Sequence, residues 1–276
     1  MEKLLTDDEV AAMQRKATAL RRRDLKMLHK AGSGHPGGSL SCMDIVLTLF
    51  ERILKHDPKR PDWPERDRFV LSKGHGCPAL YVVMADQGYF PDGTLDTLRQ
   101  LGSPLQGHPD TRFLPAVEVC TGSLGQGFSA AIGLAIGAKL DGSRHKVYCL
   151  LGDGEIDEGQ VWEGALVAAH HRLDDLVAII DRNGVQQCGK TSVIMNTDPV
   201  PDKFRAFNWT VYDIDGHDFQ RTYWALQPER IVPGRPTMIV ARTVKGKGVS
   251  FMDSPDWHGK APNDEELARA LAELGE

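Results

Sequence analysis

The sequence predicts an α/β fold, a doubly wound and mainly parallel sheet with helices on both faces, forming one domain over residues 1–276. Three observations predict it. Short runs of contiguous apolar residues recur along the chain and suit strands buried on both faces. Glycine-rich turns follow several of these runs. Helical segments separate one run from the next, the order expected of parallel strands joined by crossovers.

Taken in order, residues 7–30 read as a long helix that opens at Thr6-Asp7-Asp8-Glu9 and stops at Gly32. A second helix is expected from about Ser41 to Leu54, after which Pro58, Pro61 and Pro64 break the chain. The strand candidates are Phe69–Ser72, Val147–Leu151, Leu176–Ile180, Val211–Ile214 and Met238–Ala241, with Val117–Cys120 as a short further candidate. Between them, Leu124–Leu140 is small and apolar nearly all round. A helix without a polar face is buried, either in the core or at an extensive subunit interface, and composition does not separate the two. Another helix should run from about Glu158 to His171, and a short helical tail opens at Pro262-Asn-Asp-Glu-Glu.

The net charge of −5, from 33 Lys+Arg against 38 Asp+Glu, offers no general attraction to nucleic acid. Lys245 and Lys247 in VKGKG read as a solvated loop end. Cys42, Cys77, Cys120, Cys149 and Cys188 are scattered singly, which argues against a disulfide framework or a zinc ribbon and fits a reducing compartment. The N-terminus lacks the apolar core of a signal peptide. The most apolar stretch, Gly127–Leu140, is too short and too rich in glycine to span a bilayer. A cytoplasmic protein without a membrane partner is the expectation.

The residues that carry chemistry begin with Gly152-Asp153-Gly154 at the end of an apolar run, separated by 28 residues from Asn183 at the end of the next. Gly154 would let a phosphate approach the backbone with no Cβ in the way. Asp153 supplies an anionic oxygen and Asn183 a neutral one for a hard cation that keeps water and phosphate oxygens as further ligands. The helix that follows favours anions at its N-terminus. Alone, GDG is a common turn. With strand, turn, helix and a placed Asn, it resembles the thiamine diphosphate motif, usually written GDG followed by NN, with Arg182 here in place of the first Asn.

Histidine in glycine-rich turns is the second signal. His35 lies in SGHPGG, His75 in SKGHG, His108 in QGHPD and His258 in DWHGK. Any one of them reads as a polar loop residue. Four on turns that flank strand ends converge on one crevice, where imidazoles can donate to phosphate or sugar oxygens and move protons near neutral pH. No HxxxH or His/Cys pair at ligand spacing supports a zinc site.

The blocks AGSGHPGGSLSCMDIVLTLF, RFVLSKGHGCPALY, TGSLGQGFSAAIGLAIG, LGDGEIDEGQVWEGA and ARTVKGKGVSFM resemble successive blocks of the transketolase family, in family order over most of residues 30–260. The resemblance implies thiamine diphosphate and Mg²⁺, with Ca²⁺ or Mn²⁺ able to substitute, and the transfer of a two-carbon ketol unit between sugar phosphates. It implies that Asp153, Asn183 and the carbonyl of Val185 hold the metal. It implies that His75, Gly154, Asn183 and His258 hold the diphosphate, and that Gly122, Ser123 and Leu124 line the cofactor's ring region, with Ser123 where the family commonly has Pro. His35, His108 and His258 would face the sugar. Glu158 resembles the acidic residue that meets its counterpart across the family's dimer interface.

In the family a second domain supplies the glutamate that activates the cofactor, and the resemblance does not extend to it. A partner subunit carrying that domain is therefore expected, in an assembly with two copies of each chain. Two other readings stay open: the α subunit of a 2-oxo-acid dehydrogenase, which also carries GDG and Asn, and a non-catalytic thiamine diphosphate-binding module. SGHPGG and GHPD, which resemble the sugar-handling histidines, stand against both. Deoxyxylulose phosphate synthases are longer single chains and a weaker rival.

Overall fold

The structure is a computed structural model that describes residues 4–276. Five strands, β1 (Arg68–Leu71), β2 (Val147–Gly152), β3 (Leu176–Arg182), β4 (Thr210–Asp215) and β5 (Thr237–Arg242), form one sheet in the order β1-β2-β3-β5-β4. Every neighbouring pair is parallel, in register from Arg68 opposite Val147 through Arg182 opposite Arg242. All five carboxyl ends therefore lie on one edge of the sheet.

The alternation along the strands decides which helix covers which face. Phe69, Leu71, Tyr148, Leu150, Val177 and Ile179 join one apolar core. That core is completed by α1 (Asp7–Ala31), α2 (Pro36–Thr48), α3 (Cys77–Asp86) and α8 (Phe219–Leu226). Val70, Val147, Cys149, Leu151, Ala178 and Ile180 point the other way, against α4 (Gln126–Leu140), α5 (Gly159–His170) and α7 (Val200–Ala206). Helices cover both faces, which accounts for the lack of a polar side in β2, β3 and β5. The edge strand β4 instead leaves Asp213 and Asp215 exposed and is not buried on both faces as its apolar run suggested. Two further helices, the one-turn α6 (Thr191–Ile194) and α9 (Asp264–Glu273), lie outside these layers, α9 packing its Ala270 into a third cluster with Leu25 and Trp257.

The helix signals hold at several ends. Thr6 caps α1 in a reciprocal box with Glu9, and Gly32 ends it at φ 62°. Asn263 caps α9 in a second such box with Glu266. Other boundaries differ. The second helix starts at Pro36 rather than Ser41, because proline suits a first helical turn and Gly37 is needed inside it. A Cβ on Gly37 would lie 2.9 Å from both Lys245 Cε and the Trp257 carbonyl oxygen. After Thr48 the helix widens into a π turn, Leu49–Ile53.

Val117–Cys120 is not a strand. Val117 is buried and Glu118 is held by Arg66 at 3.0 Å and Arg68 at 3.6 Å, so side-chain anchors fix this segment without a sheet partner. The apolar α4 is not a fully enclosed core helix either. Phe128, Ala131, Ile132 and Ala135 face the sheet and α5, while Gly133 is exposed and Leu140 is 81% exposed. Leu166 on α5 is 53% exposed.

Candidate active site

Loops after the strands bring the unusual residues together. The turn after β1 carries Lys73 and His75, that after β2 carries Asp153 and Gly154, that after β3 carries Asn183 and Val185, and that after β5 carries Lys245. All of these line one cavity of about 290 Å³, with His35, His108, Gly122, Leu124 and His258. Of the residues given a cofactor, metal or sugar role in the sequence, Ser123 does not line it, nor does the interface candidate Glu158. Both are exposed, and Glu158 stands at the start of α5.

The four histidines form a cluster. The ring of His35 lies 5.3 Å from those of His75 and His258 and 6.3 Å from that of His108, and His75 lies 5.0 Å from His258. Burial, with the neighbouring imidazoles and lysines, disfavours their charged forms. His35 and His258 are pushed down to about 4, His75 is held well below its ordinary value, and His108 is lowered as well. At neutral pH the cavity therefore presents uncharged imidazoles, each with one donor and one acceptor.

The GDG turn is braced from below. Glu155, nearly fully buried, accepts from the Gly125 amide at 2.9 Å, the Gly152 amide at 2.8 Å and Ser72 Oγ. Residues Gly154–Asp157 form one 3₁₀ turn before α5, so this turn, rather than the first turn of α5, lines the cavity. A Cβ on Gly154 would meet Gln186 Cβ at 2.7 Å, so close packing of the next loop already requires glycine here.

Asp153 is buried, and burial raises its carboxyl to about 6 against the opposing pull of Arg182 and the Gly184 amide. Arg182 Nη1 lies 3.2 Å from Asp153 Oδ1, and the Gly184 amide donates to Oδ2 at 2.5 Å. Asn183 donates from Nδ2 to Asp181 at 3.3 Å, and its Oδ1 accepts from the Val185 amide at 3.1 Å. One buried carboxylate beside neutral amide and carbonyl oxygens is a donor set suited to a hard divalent cation with phosphate and water as its other ligands.

The sequence reading missed the charges. Lys245 is not a solvated loop end; it is 1% exposed, lines the cavity, and approaches His258 Nδ1 at 3.5 Å. Burial and Lys73 lower its ammonium to about 8. Lys73 is equally enclosed and pairs with Asp181 at the end of β3. Burial opposes both charges, yet their mutual attraction wins, so Lys73 is held above its ordinary value and Asp181 below. Asp181 also accepts from Ser41 on α2 and from Thr243 beyond β5. One buried carboxylate on β3 thus ties together α2, the turn after β1 and the turn after β5. The available signal was position: each lysine lies within a glycine-rich turn at a strand end.

Two enclosed ammonium groups that share one cavity with a buried carboxylate and an amide, where parallel strands end, suit an α/β protein that holds a phosphorylated cofactor. Residues 12–276 match the family described as transketolase, thiamine diphosphate binding domain. The chain belongs to the transketolase family, as its thiamine diphosphate-binding domain.

It is 45% identical to the 6-deoxy-6-sulfo-D-fructose transketolase subunit SqwG of Clostridium sp. (strain MSTE9), over 95% of this chain and 96% of that protein. It is 42% identical to an apulose-4-phosphate transketolase subunit from Actinobacillus succinogenes, over 95% of each. Among solved structures it superposes on the transketolase from Leishmania mexicana with a TM-score of 0.90 at 33% identity, covering 95% of this chain and 41% of that one. The transketolase from Campylobacter jejuni gives 0.89 at 36% identity, over 95% and 42%. The chain thus spans about two fifths of these solved transketolases and nearly the whole of the two subunits.

Proposed function

We propose that this chain is the diphosphate-binding subunit of a two-chain transketolase that depends on thiamine diphosphate and Mg²⁺. The carrying observation is the cluster of four neutral histidines in the same cavity as Asp153, Asn183, Lys73 and Lys245. A binding module would need the diphosphate and metal side only. An oxo-acid dehydrogenase subunit would have less use for a wall of imidazoles suited to sugar hydroxyls.

In this reading Asp153, Asn183 and the Val185 carbonyl hold the metal, and Lys73, Lys245, His75 and Gly154 face the diphosphate. Gly122 and Leu124 line the ring region. Thiamine diphosphate, when bound, supplies the nucleophilic carbon that carries the ketol unit. The C2–C3 bond of a ketose breaks, and the two-carbon fragment forms a new carbon–carbon bond to the aldehyde carbon of an aldose. His35, His108 and His258 bind the sugar oxygens and exchange protons with them as hydroxyl and carbonyl interconvert.

A partner subunit supplies the remaining wall, a reading supported by relatives named as subunits and by larger transketolases that continue beyond the matched region. Those two relatives are named for a sulfosugar and for a branched-sugar phosphate, so the donors to test include both kinds. Cytoplasmic placement fits five unpaired cysteines, and no helix among the described residues is long and apolar enough to cross a membrane.

The test is transfer from a ketose phosphate to an aldose phosphate by the chain plus a candidate partner, against pyruvate with an electron acceptor. Turnover of pyruvate alone would overturn the reading.

A further inference from the structure

Arg99 has no part in the site described so far, yet three features single it out. It is a non-glycine residue at φ 60°, in the left-handed region that L-residues rarely adopt. Its guanidinium fills the space where Gly107 lacks a side chain, since a Cβ on Gly107 would lie 3.0 Å from Arg99 Cζ. It is anchored from Nη1 to Ser33 Oγ at 2.9 Å, and from Nη2 it reaches the Gly107 carbonyl and His35 Nδ1, each at 3.4 Å. Two of these partners, Ser33 and Gly107, are two and one residues from His35 and His108.

Arginine has donors only and does not lose its proton in a protein. The imidazole nitrogen it faces must therefore be the acceptor. Nδ1 of His35 then carries no hydrogen, and the single ring proton sits on Nε2. That nitrogen is directed to the side of Gly259, whose Cβ position lies 3.8 Å from it, next to His258. We propose that Arg99 is a positioning residue that fixes His35 as the neutral Nε2–H tautomer, so that His35 enters catalysis as a hydrogen-bond donor into the sugar side of the cavity.

The surroundings act in the same direction. The groups that face His35 are Arg99, His258, His108, His75 and Lys245, all cationic or imidazole, and none is a carboxylate that would favour a second ring proton. The effect on turnover rests on the ketol-transfer reading. The tautomer does not.

The test is the ¹⁵N-edited imidazole spectrum of the full chain without cofactor, with the His35 signal assigned by its loss in His35→Gln. Wild type should show Nδ1 as the bare nitrogen and Nε2 as the protonated one. Arg99→Met keeps the length and removes the donors, and should give a mixture of tautomers and a His35 that protonates at higher pH. Arg99→Lys, which restores a donor cation, should recover the wild-type tautomer. Ser33→Ala, which frees the guanidinium without altering either partner's chemistry, should fall between them and serves if Arg99→Met does not fold. With the partner present, Arg99→Met should lower kcat by about tenfold or more with cofactor affinity unchanged, since removing a group that orients a functional histidine costs at least that much. A wild-type spectrum with the proton on Nδ1, or identical spectra for wild type and Arg99→Met, would overturn the proposal. An inactive enzyme that still shows the Nε2–H signal would support it and count instead against ketol transfer.

Discussion

Arg182 holds Asp153 from one side at 3.2 Å and Asp198 from the other at 2.7 Å, so a guanidinium stands beside the carboxylate proposed to hold the metal. In the proposed site a divalent cation would compete with this arginine for the Asp153 carboxylate. Arg182→Asn should therefore raise Mg²⁺ affinity, with Asp198 left exposed to solvent. Asp153→Ala should lower Mg²⁺ and cofactor affinity together by tenfold or more, since contacts to charged groups are worth about 1.5–3 kcal/mol. Calorimetric titration of Mg²⁺ into the chain with thiamine diphosphate separates the two. Equal affinity in Arg182→Asn and wild type would show that the arginine does not compete.

The same carboxyl sets a pH dependence. Burial raises the Asp153 carboxyl to about 6, so below that pH a proton would occupy the carboxylate proposed to hold the metal. Mg²⁺ affinity should hold from pH 8 to about 6.5 and fall as pH drops through 6. Asp153→Asn should bind weakly and without that step. A wild-type affinity that is flat across the range would remove Asp153 from the metal site.

The buried pair of Lys73 and Asp181 makes a different prediction. Asp181→Asn leaves an enclosed ammonium with no counter-charge, and breaking such a pair costs about 3–5 kcal/mol. Chemical unfolding should register this loss. Lys245, whose partners are long contacts to the Gln186 carbonyl and His258, is not held by an ion pair in this way. Lys245→Met should therefore cost little stability while weakening cofactor binding about tenfold. If both variants lost stability equally, the division of labour between the two lysines would be wrong.

The two lysines also mark the limit of what the sequence discloses. Strand runs such as Val147–Leu151 and Leu176–Ile180 were legible because burial on both faces leaves no polar position to confuse the pattern. The histidines were legible because four of them sit in glycine-rich turns. Lysine, by contrast, reads as solvent-facing until its partner is known, and Asp181 lies 108 residues away from Lys73. Gly37 reads as loop because its value in a helix is the room it leaves for Lys245 and the Trp257 carbonyl, a tertiary fact. Val117–Cys120 alternates as a strand would, but no neighbouring strand pairs with it. Arg99 carries no local signal at all; its proposed role depends on Ser33 and Gly107, from separate parts of the chain, both meeting its guanidinium.

His258 offers a test of the neutral cluster. Its imidazole ionises at about 4 in the fold against an ordinary 6.5. Between those values the unfolded chain binds a proton that the folded chain refuses, so this group's contribution to stability is lost as pH falls from about 6.5 to about 4. His258→Asn has no such proton. The stability of wild type relative to His258→Asn should decline over that window and be constant above pH 7. A constant difference throughout would show that His258 is not held neutral by its surroundings.

The last prediction concerns what the cavity lacks. Among the described residues its lining carboxylates are Asp153 and Glu155. Asp153 is engaged by Arg182 and the Gly184 amide. Glu155 is spent on Ser72 Oγ and the amides of Gly125 and Gly152. Neither is free to act as the acid that the family uses to activate the cofactor. The pure chain, saturated with Mg²⁺ and thiamine diphosphate, should therefore bind cofactor but transfer no ketol unit. Addition of a partner carrying the family's second domain should restore transfer, with activity saturating at one partner per chain. Closed twofold assemblies are the commonest arrangement, so sedimentation should find two copies of each. The exposed strip of α4 and α5 around Gly133, Leu140 and Leu166 is the surface to probe, since a charged residue in place of Leu166 should weaken assembly without unfolding the chain. Robust transfer by the pure single chain would mean that the activating acid lies within these residues, and the two-chain reading would fall.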